Sequence, residues 1–86
     1  MKYIATFYSH FGAMRFKKIC DQRELAARLM PVPRDLSSSC GTCVSFEANS
    51  FEANSFDEEN CIREELEQVV CQSEAGYQVL YRAMDS

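Results

Sequence analysis

The sequence predicts an α+β fold, a small sandwich in which a four-stranded antiparallel sheet carries two helices on one face. Three observations predict it. Short segments of alternating or β-branched and aromatic residues at 2–8, 42–46 and 77–82, and a segment at 29–33 held extended by its prolines, are spread along the chain, and such segments favour strands. Two longer stretches place apolar residues at helical spacing, one after the first strand segment and one before the last. The second strand segment holds both prolines of the chain, and a proline that cannot donate to a ladder belongs at a sheet edge.

Each element follows from its residues. Residues 2–8, KYIATFY, read as the first strand. Ser9 is placed to cap a helix over 10–24, in which Ala13, Phe16, Ile19 and Cys20 form the apolar stripe and Arg15, Lys17 and Lys18 lie off it. Cys20 is then a small core hydrophobe. The helix has no Gly or Pro stop between Asp21 and Arg28. Leu29-Met30-Pro31-Val32-Pro33 is extended, because each proline biases its predecessor away from helix. A polar loop, Arg34 to Gly41, leads into a third strand, Thr42 to Phe46, with Thr42, Val44 and Phe46 on one face.

The pentapeptide FEANS then occurs twice in tandem, at 46–50 and 51–55. One copy is too short to be a structural unit, and lengthening a loop costs little, so the repeat reads as a loop insertion. Ser55-Phe56-Asp57-Glu58 matches a capping box with acids in the first turn. Ile62, Leu66, Val69 and Val70 repeat at i, i+4, i+7 and i+8, which predicts a second helix to about Gln72, stopped by Gly76. Cys61 and Cys71 fall on or beside its apolar stripe. Tyr77 to Arg82 alternates as the last strand. Two right-handed split βαβ units in this order make a ferredoxin-like βαββαβ sandwich with strand order 4-1-3-2. That order independently puts the second strand at an edge, where its prolines require it.

A chain of 86 residues is one domain, 1–86, and buries only roughly 60–65% of its unfolded surface. With 47% apolar and 26% charged residues it has the composition of a folded domain. No apolar run reaches the ~18–20 residues of a membrane span, and the N-terminus MKYIATFYSH lacks the small-residue cleavage site of a signal peptide. The net charge of −4 is divided: residues 1–34 carry seven bases against two acids, and residues 35–86 carry two bases against eleven acids. An acidic total with no basic–aromatic stripe argues against nucleic acid. Five cysteines are an odd set, unlike a disulfide scaffold, so reduced thiols in a cytoplasm are expected.

The segment Pro33 to Cys43, PRDLSSSCGTC, is where chemistry is expected. A thiol reacts as its thiolate, which nearby donors and positive charge favour. Ser37, Ser38, Ser39 and the amides around Gly41 can supply donors, Gly41 permits the tight turn, and Arg34 can add a positive charge. Cys43, three residues after Cys40, can resolve a disulfide or relay a persulfide. Cys40 and Cys43 also have the spacing of a metal-ligand pair, but a structural zinc needs four ligands, and no metal is expected. His10 is the single histidine, and the carboxylates read as a solvated helix face, so no acid–base pair of a turnover enzyme is legible.

The opening KYIATFYSH, the run RLMPVPRDLSSSCGTCVSF and the short closing strand resemble the DUF3343 family of bacterial Se/S carrier-like proteins over nearly the whole chain, most specifically in PVPRDLSSSCG. The tandem FEANS and the lack of a glycine between the first helix and the second strand depart from that pattern. The resemblance implies a protein that holds sulfur or selenium on Cys40, as a persulfide or selenopersulfide, with Arg34, Ser37, Ser38, Ser39 and Gly41 around it. It implies a donor of the cysteine desulfurase kind and an acceptor protein in selenium or sulfur metabolism, with no cofactor. Two other functions fit the residues: a C-x-x-C redox switch using Cys40 and Cys43, and a non-catalytic adaptor whose thiols are incidental.

Overall fold

The structure is a computed structural model in which residues 1–36, 40–49 and 65–83 are described. It contains strands β1 (Lys2–Phe7), β2 (Ala27–Pro31), β3 (Thr42–Glu47), β4 (Leu66–Ser73) and β5 (Gly76–Arg82), and helix α1 (His10–Gln22). The strands form one antiparallel sheet of order β2-β3-β1-β4-β5. The α+β class and the antiparallel sheet are as the sequence predicts. Among the described residues there are five strands and one helix, not four and two.

β1 is the centre of the sheet, paired with β3 on one side and β4 on the other. Its alternation sends Tyr3, Ala5 and Phe7 to the helix side and Ile4 to the opposite side, and all four are buried. The predicted stripe of α1, Ala13, Phe16, Ile19 and Cys20, packs onto that first face. The rings of Tyr3, Phe46, Phe16 and Phe7 form a continuous contact chain with centroids 5.2–5.3 Å apart, spacings at which aromatic pairs add to simple burial. On the opposite face Ile4, Cys43 and Val70 form a second cluster, covered in part by Met30, Val32, Leu36 and Tyr77.

Ser9 is the N-cap of α1: its Oγ accepts from the Gly12 amide at 3.1 Å and donates to Glu65 Oε2 at 2.8 Å. At the other end the chain stops the helix without glycine. Glu24 takes φ 60°, the Leu25 amide reaches Cys20 O at 2.9 Å and the Glu24 amide reaches Asp21 O at 3.1 Å. This is a Schellman closure with a glutamate in the left-handed position. The helix therefore ends at Gln22 rather than 24, and the second strand starts at Ala27 rather than Leu29. β2 is at the sheet edge, with Pro31 its last residue.

The second predicted helix is corrected over its C-terminal part. Leu66–Ser73 is a strand, and it occupies the place beside β1 assigned to the last strand. The physical reason is a bulge: Phe7 pairs with Leu66 and Thr6 with Gln68, so Glu67 is an extra residue. Leu66 and Val69 consequently share the helix-side face at a spacing of three, which imitates a helical stripe. Gly76, expected to stop a helix, instead has φ 120° at the turn joining β4 to β5. The N-terminal part of that predicted helix, from Phe56, lies outside the described residues, as do the whole second FEANS copy and Cys61.

Candidate functional site

The Cys40 loop is the connection between two antiparallel neighbours, β2 and β3. It is closed at its base by the Val32 amide donating to Gly41 O at 3.1 Å, and a turn follows Pro33, with the Leu36 amide donating to Pro33 O at 3.0 Å. Gly41 has φ 74°, the left-handed conformation that favours glycine. Residue 41 thus turns the chain sharply between the two cysteines. Cys40 lies before that turn and Cys43 inside β3.

The two thiols are in different surroundings. Cys40 is half-buried, and its Sγ lies 3.3 Å from Thr42 O. Cys43 is completely buried, in the cluster that Met30, Val32 and Leu36 cover, with its Sγ 3.7 Å from Pro31 O. Burial pushes its thiol up to about 11, and the negative charge of a Cys40 thiolate pushes in the same direction. Cys20 is buried under α1 and pushed up to about 12, chiefly by desolvation and then by the charge of Asp21. Cys71 is buried in the helix-side core, on β4 rather than on a helix. Of the four described cysteines, Cys40 alone is not buried.

Of the other predicted site residues, Gly41 is in the turn beside Cys40 and Arg34 is exposed on the turn that follows Pro33. Ser37, Ser38 and Ser39 lie outside the described residues. His10, which the sequence shows only as the single histidine, stands close to the loop. Its Nδ1 lies 3.2 Å from Thr42 Oγ1, so the start of α1 stands beside the residue whose carbonyl meets Cys40 Sγ. The signal for this was the strand order itself. With β1 and β3 antiparallel neighbours, the C-terminal end of one meets the N-terminal end of the other. A cavity of about 260 Å³, lined in part by Lys2, Ala27, Arg28 and Glu47, lies at the opposite end of β3 from Cys40. Among the described residues, no group of three or more His, Cys, Asp or Glu side chains is gathered as a metal site. Nor is any described helix long and apolar enough to cross a membrane.

Fold and loop together define a small α+β protein in which, among the described cysteines, one thiol is left unburied on a sheet-edge connection. The chain belongs to the family described as "Putative Se/S carrier protein-like", whose model matches residues 2–78. No curated protein and no solved structure matches it.

Proposed function

We propose that the protein carries sulfur or selenium on Cys40 between a donor and an acceptor protein of selenium or sulfur metabolism. The observation that supports it best is the accessibility of Cys40 while Cys20, Cys43 and Cys71 are buried, read together with membership of the carrier-like family. In loading, the Cys40 thiolate attacks the outer sulfur of a donor persulfide. A Cys40 Sγ–S bond forms, the donor's S–S bond breaks, and its electron pair leaves on the donor thiolate. Sulfane sulfur moves without an external oxidant, and selenium follows the same accounting. Discharge repeats the exchange with an acceptor thiolate attacking the outer atom. Arg34, the amide side of Gly41 and the hydroxyls of Ser37, Ser38 and Ser39 are assigned to stabilise the terminal anion.

Cys43 decides whether the load is kept. Its attack on loaded Cys40 would form a Cys40–Cys43 disulfide and expel sulfide. Burial keeps its thiolate scarce at neutral pH, which favours a carrier over a redox switch. The test is an intact mass spectrum of reduced protein after incubation with a cysteine desulfurase and either cysteine or selenocysteine, followed by peptide mapping. A stoichiometric one-atom adduct on Cys40, removed by reductant and lost in Cys40→Ser, is expected. A Cys40–Cys43 disulfide as the main product would instead favour the switch, and unchanged loading of Cys40→Ser would refute the assignment.

A further inference from the structure

The face of the sheet turned away from α1 gathers a second group of polar side chains, at the far end of β3 from Cys40. The strand register places its members. Ser45 stands between Ile4 of β1 and Arg28 of β2, and Glu47 stands opposite Lys2. Ile4 belongs to the cluster on that face, so by alternation Lys2, Arg28, Ser45 and Glu47 share it. All four line the cavity of about 260 Å³.

Two independent features of this cavity call for a ligand. The first is Ser45, which is only 6% exposed and whose hydroxyl makes no hydrogen bond among the described residues. No described side-chain oxygen or nitrogen is both cut off from solvent and without a partner, so Ser45 Oγ opens to the cavity rather than being sealed in the sheet. Buried polar groups are nearly always paired, and this one has its free capacity turned towards a pocket. The second is charge. Lys2 and Arg28 are exposed, and among the described residues neither makes an ion pair or a side-chain hydrogen bond. Glu47, although opposite Lys2 in the register, does not close on it. Two cations against one carboxylate leave the cavity with a net positive charge.

We propose that this cavity binds the oxyanion group, carboxylate or phosphate, of a small molecule. The Arg28 guanidinium offers paired N–H donors to two oxygens of such a group. The Lys2 ammonium adds a second positive charge, and the Ser45 hydroxyl donates to an oxygen at the floor. The volume lies just under the roughly 300–1,000 Å³ of sites for drug-sized ligands, which suits a small metabolite. Glu47 opposes an anion at the rim, so the cavity accepts a singly charged group more readily than a more highly charged one. The site is separate from the Cys40 loop and does not rest on the carrier reading.

The test is a titration of the reduced full chain with sodium acetate, and separately with inorganic phosphate, at constant ionic strength, followed by amide chemical shifts in ¹H–¹⁵N NMR spectra. Saturable shifts centred on Lys2, Arg28, Ser45 and Glu47 are expected, and the tighter probe names the group. Arg28→Gln should weaken binding about tenfold or more, as the loss of a charge-assisted hydrogen bond does, and Ser45→Ala about fivefold. Glu47→Gln should tighten it by removing a like charge. Unperturbed shifts away from the cavity report that each variant folds. Equal affinity in wild type and all three variants would overturn the site. So would shifts that rise without saturating and spread equally over Arg15 and Lys18.

Discussion

Raising the pH should destabilise this protein through its buried thiols. Cys43 and Cys20 are pushed up to about 11 and about 12 from the usual 9.0, in both cases mainly by desolvation. In the unfolded chain both ionise near the usual value, so above it the unfolded state holds fewer protons than the folded one. Stability must then fall as pH rises, beginning at the unfolded value and continuing until the folded thiols ionise. Below the unfolded value the two states are equally protonated at these sites and nothing is lost. Each thiol costs about 1.4 kcal/mol per pH unit inside the window, so one unit above the onset the pair costs about 3 kcal/mol. A domain of this length has a total of roughly 5–15 kcal/mol, so the loss is a large fraction of it. The assay is urea unfolding by circular dichroism under reductant at pH 8, 9 and 10. Lysines and tyrosines titrate in the same range, so the informative quantity is the difference from a Cys20→Ala/Cys43→Ala variant. That variant should start less stable, because it has two small cavities, but lose about 3 kcal/mol less between pH 8 and 10. Parallel pH profiles for the two proteins would refute the reasoning.

Two further substitutions probe the ends of α1. Glu24→Gly removes a left-handed strain of roughly 1–2 kcal/mol at an exposed residue with φ 60°, against a glycine entropy cost of about 0.5–1 kcal/mol. A net gain of about 0.5–1 kcal/mol is expected, read as a higher urea midpoint with an unchanged slope; a lower midpoint would contradict the strain argument. Gly12→Ala should destabilise by about 1–2 kcal/mol although alanine is the better helix former. Its Cβ would stand 2.6 Å from Glu65 Cβ, and Glu65 also takes the Ser9 hydroxyl and accepts from the Tyr8 amide. A stabilised variant would show that Glu65 yields freely.

What the sequence revealed and what it hid have separate physical causes. β1, the Ser9 cap, the stripe of α1 and the edge position of the proline strand were legible because local periodicity and tertiary burial agree there. Leu66–Ser73 was misread because the extra residue at Glu67 converts a period of two into a spacing of three. It was also misread because Val69 and Val70 are both fully buried, one on each face, which removes the polar alternation of a half-exposed strand. The end of α1 was hidden by its chemistry, since glutamate in a left-handed C′ position carries no signal in the sequence. At the site, alternation puts Cys43 on the opposite face from Thr42, Val44 and Phe46, and the structure shows that face to be the one away from α1. Its complete burial depends on Leu36 folding back across that face, and no periodicity announces such a contact.

The same alternation explains why a C-x-x-C in this place differs from one on a helix. Residues three apart on a helix share a face, so both thiols meet the same solvent and the same helix terminus. Here Gly41 turns the chain between the pair, and the strand begins immediately after it. Thr42 then faces α1 and His10, while Cys43 points into the opposite cluster. One thiol is left outside the sheet and the other is sealed within it. Bringing them to bonding distance and geometry would have to contend with the packing of Leu36, Val32 and Met30 over Cys43. An arrangement that separates its cysteines in this way disfavours an internal Cys40–Cys43 disulfide and leaves the outer thiol beside the start of α1, through Thr42 and His10.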